Sequence, residues 1–369
     1  MIVSLEKILT KRFHIRSLIF VGFFAAYVAL TFAIFFLAVI PSYVDGTTSK
    51  VFAVDSTQYV YMADSLREGR NEPWVLTAMY SFPNSLWTPV GLSLLLKSAF
   101  LVMLANYTAL AISLFLLKRS FRISVKIFIV LLLINPMTTT SLLCVNKEIF
   151  DLFNMSLFLY SRAKRSNWLV LVALGFALIN RFEICAVMVA FLLAEGRLNP
   201  LRENRVATLL LLIAAISFVM PFWGGSILAQ RFEEAQSLKV ISWLDIMQIH
   251  YLYVFAVVPK IAVNLIGYLI DVPAWFVPTS WIYIMIFSNV SYAILILMAV
   301  RKRLFSLHND LIYLGAVGSV IVAQSLVPQP RYFYFLYILL CLRLAQGRPT
   351  NEREQLRTGG GVAATAIPC

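Results

Sequence analysis

Residues 17–40 read SLIFVGFFAAYVALTFAIFFLAVI, twenty-four positions without a charge. A helix needs about 20 such residues to cross the hydrocarbon core of a bilayer, so this stretch is long enough to span. It follows the basic segment KILTKRFHIR and shows no small-residue cleavage site before Pro41, which predicts a retained first span and not a removed leader.

The rest of the chain repeats that character. Its 369 residues are 60% hydrophobic and 13% charged, and the mean hydropathy is +0.82. One globular core could not bury that much apolar surface, so the sequence predicts an all-α polytopic membrane protein. A net charge of +13 raises nucleic acid as a partner, and the position of the charge argues against it. Of the 31 Lys and Arg residues, 21 fall in short clusters at 7–16, 118–126, 162–165, 197–205, 301–303 and 343–357, each beside an apolar run. Positive residues kept on the cytoplasmic side give that pattern, whereas a nucleic-acid footprint would gather on one face. Cys144, Cys185, Cys341 and Cys369 share no short spacing, and His14, His250 and His308 are scattered, so neither a disulfide framework nor a metal site is indicated. The ending AIPC lacks the cysteine four from the end that prenylation requires.

Length and charge together predict about ten transmembrane helices, the first near 18–40, 90–117, 123–142 and 143–161. The loop 41–89 then lies outside; it carries Asp45, Asp55, Asp64, Glu68 and Glu72 against Lys50, Arg67 and Arg70. Between Arg165 and Arg197 both flanks are basic and the run is short for two full spans. A hairpin of two short helices with Asn180, Arg181 and Glu183 at its tip satisfies the charge rule, and a single tilted span is the competing arrangement. Spans follow near 206–222, 277–300, 310–327 and 331–346. Pro259, Lys260 and Asp271 interrupt 251–275, which reads as re-entrant or interfacial. Residues 1–346 form one membrane domain, with a disordered cytoplasmic tail at 347–369. No internal repeat of the kind many transporters carry is visible.

Several positions could carry chemistry. In VDSTQYVYMADSLREGR, residues 54–70, Asp55 and Ser56 suit a helix N-cap, Tyr59, Met62, Ala63 and Leu66 make an apolar stripe, and Gly69 suits the helix end. This predicts an amphipathic helix at 55–69 on the outer membrane surface, with Asp55 starting its apolar face. Asp55 is then either a plain cap or a working carboxylate. The segment WTPVGLSLLLK, 87–97, predicts re-entry into the membrane through a break at Pro89 and Gly91, with Trp74 and Trp87 in the headgroup belt. In NPMTTTSLLCVNKEIFDLF, 135–153, Lys147, Glu148 and Asp151 fall one to two turns inside a helix and share a face. They could neutralise one another or line a substrate path, since each lone charge costs about 2.5–3.5 kcal/mol to insert. Arg181, beside Glu183, and Arg331, followed by Tyr332, lie at the outer ends of apolar runs. Each suits a phosphate through forked hydrogen bonds or could snorkel to the interface. The outer segment 223–250 adds Arg231, Glu233, Glu234, Lys239, Asp245 and His250, the last opening an aromatic HYLY stretch that could stack on a sugar.

Taken together, Asp55, Tyr59 and Ala63 in the first outer loop, Pro89 and Gly91, Asn135-Pro136, Lys147-Glu148, Asn180-Arg181 and Arg331-Tyr332 resemble the layout of bacterial GT-C-type glycosyltransferases. The resemblance implies a polyprenyl-phosphate-linked sugar donor, a glycan or lipid acceptor, and an active site facing the periplasm of the inner (plasma) membrane. It implies that Asp55 is the general base or orienting carboxylate. Arg331, with Arg181 or Lys147, would hold the leaving phosphate, and Tyr59, Glu148, Asp151, Glu183, Tyr332 and His250 would line the substrate site. Asp55 has no second acid in a DxD spacing, which argues against a required divalent metal, and no other cofactor is implied. The compact length resembles the polymerases and transferases of O-antigen, capsule or exopolysaccharide assembly, with other polysaccharide-assembly proteins as partners. A transporter or flippase of lipid-linked oligosaccharide is the rival. It should place its charges at the midplane, whereas these map to the outer third.

Overall fold

The computed structural model describes residues 17–41, 55–70, 72–80, 86–231, 244, 246–248, 250–271, 275–276, 280–324 and 330–346. The basic cluster at 7–16, the loop positions 42–54, the outer-segment residues Glu233, Glu234, Lys239 and Asp245, and the tail 347–369 lie outside them.

Among the described residues every regular element is a helix. The first, α1, runs Ser17–Ile34 and continues as a π-helical turn at Phe35–Val39. The order is then α2 (Ser56–Arg67), α3 (Pro73–Tyr80), α4 (Trp87–Leu96), α5 (Ala99–Ser120), α6 (Val125–Ile134) and α7 (Pro136–Leu143). There follow α8 (Glu148–Ala163), α9 (Asn167–Asn180), α10 (Phe182–Glu195), α11 (Arg205–Arg231), α12 (Tyr253–Ile270) and α13 (Ser280–Arg301). The chain closes with α14 (Asp310–Val322), a 3₁₀ turn at Pro330–Phe333 and α15 (Tyr334–Ala345).

Among the described residues four helices are long and apolar enough to cross a membrane: Ser17–Val39, α5, α12 and Trp281–Arg301 of α13. A fifth is present if α6 and α7, bent by 87° at Asn135, count as one span. A count of ten is therefore not borne out, and the reason is local. Breaks at Asn135, at 144–147 and at Arg181 divide the apolar runs, so α9 and α10 have 14 residues each, about 21 Å at 1.5 Å per residue. The hairpin expectation for 166–196 matches these two short helices, which pack on each other. The stretch 251–275, expected to be re-entrant or interfacial, contains α12, one unbroken helix of 18 residues with Pro259 inside it, which is long and apolar enough to cross a membrane. Buried Lys260 is compatible with that helix because its Nζ donates to Gln248.

The core surrounds α15, where Tyr334, Phe335, Tyr337 and Ile338 through Leu342 are buried. Close approach of α14 depends on Gly318. A Cβ there would lie 2.4 Å from Phe335 Cε2 and 2.9 Å from Val187 Cγ1, so any larger side chain would collide with α15 and α10. At the far end of α8, Arg162 and Arg205 both pair with Glu195, and Arg205 also reaches Asp310 at 2.6 Å. This network fastens α8, α10, α11 and α14 at the end away from Glu148.

The amphipathic segment forms as expected, with a different partner. Gly69 ends α2 in the left-handed region at φ +67°, with Arg70 N bonded back to Ser65 O at 3.0 Å. Tyr59, Met62 and Ala63 are buried, packed with Val90, Val102 and Val145 and not laid on the bilayer. Arg67 clamps the arrangement by donating to Ser93 O at 2.9 Å. The break expected at Pro89 and Gly91 falls instead at Lys97, φ +52°. Pro89 sits in the first turn of α4, where a missing N–H costs nothing.

Candidate functional site

Asp55 precedes α2 at its N-cap position, but its side chain makes no capping bond. Its Oδ2 lies 2.6 Å from Arg331 Nη1 and accepts a 3.3 Å hydrogen bond from Tyr59 Oη, one helical turn away. The Asp55 side chain is therefore ion-paired and does not cap the helix. Burial, and next the Asp55 carboxylate beside it, push the Tyr59 phenol well above its ordinary value, so Tyr59 stays a neutral donor to Asp55.

Lys147, Glu148 and Asp151 lie at the very start of a helix, not one to two turns inside it as expected. The chain breaks before them, and α8 begins at Glu148 with Lys147 as its N-cap. Both carboxylates thereby occupy the first turn, where the helix dipole favours negative charge. Asn146 Oδ1 accepts the Lys147 N–H at 2.9 Å, and so shapes the break. Glu148 and Asp151 are fully buried and share Arg181, whose Nη2 is 3.0 Å from Glu148 Oε1 and whose Nη1 is 3.0 Å from Asp151 Oδ2. Asn180 completes the seat, donating to Asp151 Oδ1 at 2.8 Å and to Lys147 O at 3.3 Å. The hairpin tip between α9 and α10 thus delivers Asn180 and Arg181 to the start of α8.

The two clusters are one assembly. Arg181 Nη1 donates to the carbonyl of Arg331 at 3.2 Å, and the Tyr332 ring centroid lies 5.8 Å from Arg181 Cζ and 5.4 Å from Arg331 Cζ. Trp281, 5.9 Å from Arg331 Cζ, offers a second aromatic ring. The preceding carbonyl, Pro330 O, accepts from Tyr292 Oη at 3.0 Å. Six expected positions therefore meet in direct contact: Asp55, Tyr59, Glu148, Asp151, Arg181 and Arg331, with Tyr332 against both arginines. Lys147 joins through its backbone. Glu183 is half-buried near Lys147 and makes no ion pair among the described residues. His250 is exposed, and no described contact links it to the assembly.

Sequence reasoning missed Trp281, Tyr292 and Asn146. Each occupies an ordinary-looking place, a helix start, a helix interior and a loop, and only the fold gives it a role. No group of His, Cys, Asp or Glu among the described residues is arranged to hold a metal ion. Chemically, the assembly offers a partly exposed carboxylate against a guanidinium, backed by a buried layer in which one arginine faces two carboxylates. In comparison with known proteins, the chain matches no protein family, no curated protein and no solved structure.

Proposed function

We propose that the protein is an inner-membrane glycosyltransferase of GT-C type that moves a sugar from a polyprenyl-phosphate donor to a glycan or lipid acceptor on the periplasmic face. The observation carrying this reading is the Asp55–Arg331 contact at 2.6 Å, a base and a phosphate-binding cation held side by side where acceptor and leaving group must meet. In the reaction the acceptor hydroxyl attacks the anomeric carbon as its proton passes to Asp55. The carbon–oxygen bond to phosphate breaks, and the phosphate leaves with the electron pair, its charge stabilised by Arg331. Tyr59 holds Asp55 in place. O-antigen, capsule or exopolysaccharide assembly is the setting this chemistry suits.

A second reading, a transporter or flippase of lipid-linked oligosaccharide, is favoured by one feature. A polar line of Gln248, Lys260, Asn264 and Asn289 runs through the interior of α12 and α13. Reconstitution with a radiolabelled polyprenyl-phosphate sugar and a lipid acceptor separates the two. Radiolabel joined covalently to acceptor supports the transferase, whereas label that changes leaflets without a new bond supports the flippase.

A further inference from the structure

The exposed face of α2 carries an arrangement that the proposed reaction at Asp55 does not use. Tyr61 and Trp74 lie ring on ring, 5.8 Å between centroids and 17° between planes, yet they are 41% and 43% exposed. One side chain holds both. Glu72 accepts the Tyr61 hydroxyl on Oε1 at 2.9 Å and the Trp74 indole N–H on Oε2, and its carbonyl accepts from Val75 N and Leu76 N where α3 begins. The Arg70 guanidinium, paired with Glu68 at 2.6 Å, lies 5.6 Å from the Tyr61 centroid. An aromatic pair fixed in this way has its ordering cost met before a ligand arrives, and tryptophan and tyrosine are the commonest anchors of recognition. A tryptophan of the headgroup belt turns its N–H to the wet side. That of Trp74 is satisfied within the protein.

The surroundings of the rings select a ligand class. The C–H groups on one face of a hexopyranose carry partial positive charge and suit the negative face of an indole. Each oxygen of Glu72 keeps a lone pair after its bond to a ring, which sets acceptors for sugar hydroxyls at the edge of the stack. The charges acting on Tyr61 are Glu72 and Glu68 against Arg70. That excess of negative charge disfavours a uronic acid or any other anionic sugar.

We propose that Trp74, backed by Tyr61 and edged by Glu72, is a stacking platform for a neutral hexopyranose unit of a glycan. Tyr61 follows Asp55 by six positions, about 9 Å along α2 at 1.5 Å per residue, within reach of a short oligosaccharide. The platform thereby names the acceptor of the proposed transfer as a glycan and not a lipid. That naming rests on the transferase reading, and the sugar binding does not.

Cellohexaose, a neutral oligomer, and hexagalacturonate, an acidic one, titrated by isothermal calorimetry into the full chain in phosphatidylcholine nanodiscs, test the platform. The wild type should bind cellohexaose at least about tenfold more tightly than hexagalacturonate. Trp74→Ala should weaken cellohexaose by about tenfold or more, whereas Trp74→Phe, which keeps a ring, should lose less. Trp168→Ala, which removes an exposed tryptophan from the first turn of α9, should bind like the wild type. Absence of cellohexaose binding in the wild type overturns the site, and so does normal binding in Trp74→Ala or an equal loss in Trp168→Ala. Tighter binding of hexagalacturonate overturns the neutral class. If Trp74→Ala fails to fold, the emission lost between the wild type and Trp74→Phe decides. Quenching of that emission by phosphatidylcholine brominated near the headgroup, and not by aqueous iodide, puts the ring in the bilayer and sinks the platform; protection from iodide by cellohexaose supports it. Nanodiscs that bind cellohexaose but transfer no sugar from a polyprenyl-phosphate donor refute the transferase reading and support the sugar site. Transfer to a glycan acceptor that Trp74→Ala leaves unchanged overturns the acceptor role.

Discussion

The Asp55 carboxylate and the Arg331 guanidinium meet at 2.6 Å although 276 residues separate them. With side-chain exposures of 26% and 14%, the pair is mostly buried, and an asparagine at position 55 would keep an oxygen able to accept from Arg331 and Tyr59. Removing the carboxylate charge while keeping that oxygen tests the proposed base. The expected consequence is a separation of effects. Asp55→Asn should lower sugar transfer by roughly 100-fold or more, the range of a lost general base, while the unfolding midpoint moves little. Transfer assays and thermal unfolding on the same purified variant check it; full activity would remove Asp55 from the chemistry.

Arg181 should behave in the opposite way. Its removal leaves Glu148 and Asp151 buried without their cation, and breaking a buried pair costs about 3–5 kcal/mol. Arg181→Gln is expected to be strongly destabilised. Combining it with Glu148→Gln and Asp151→Asn should restore most of the loss, since replacing a whole buried ionic group by neutral residues is often tolerated. Denaturant titration of the single and triple variants measures the difference. A triple variant as unstable as the single one would mean that the fork of Arg181, and not its charge balance, holds the turn.

Much of this arrangement was legible in sequence, and what was not has a physical cause. The first span, read as Ser17 to Ile40, appears at Ser17–Val39 because a long uncharged run leaves little choice. The charged positions at 55, 147, 148, 151, 181 and 331 stood out because ionisable residues beside apolar runs are costly. Their convergence could not be read, because contacts between α2, α8, α10 and the 3₁₀ turn depend on side-chain packing across hundreds of residues. The difference between the ten spans expected and the four or five described helices long enough to cross has the same origin. Asn135, Asn146 and Arg181 each break an apolar run, and the hydropathy of the flanking residues hides the break. Asn135 shows how: its side chain caps α7 by accepting from Met137 N at 3.0 Å, and so turns one apparent span into a bent pair. Trp281 gave no signal, since a tryptophan at a helix start suits a headgroup belt equally well.

The packing of α14 on α15 is open to a direct test. A Cβ at Gly318 would come within 2.4 Å of Phe335 Cε2, and forced overpacking of a core typically costs about 1–3 kcal/mol. Gly318→Ala is expected to destabilise by that order. Phe335→Leu in the same chain should recover part of the loss by removing the ring atoms that collide. A double-mutant cycle in thermal unfolding reads this coupling, and strictly additive losses would place the strain elsewhere, for example at Val187.

A last prediction concerns the exposed face of α2. Tyr61 stacks on Trp74 at 5.8 Å with an interplanar angle of 17°, and Glu72 receives both the Tyr61 hydroxyl at 2.9 Å and the Trp74 indole N–H. The hydrogen bond to Glu72 is the main reason the Tyr61 phenol lies above its ordinary value. A folded value above the unfolded one, about 10, means that the fold favours the protonated phenol. The contribution is whole below the unfolded value and is lost as pH rises through the folded one. Tyr61 should accordingly ionise later than an unpaired surface tyrosine, and Glu72→Gln should bring its titration down. The tyrosinate absorbance difference between Tyr61→Phe and its parent, recorded with Glu72 and with Gln at that position, isolates this one phenol. Coincident curves in the two backgrounds would show that Glu72 does not hold the ring pair.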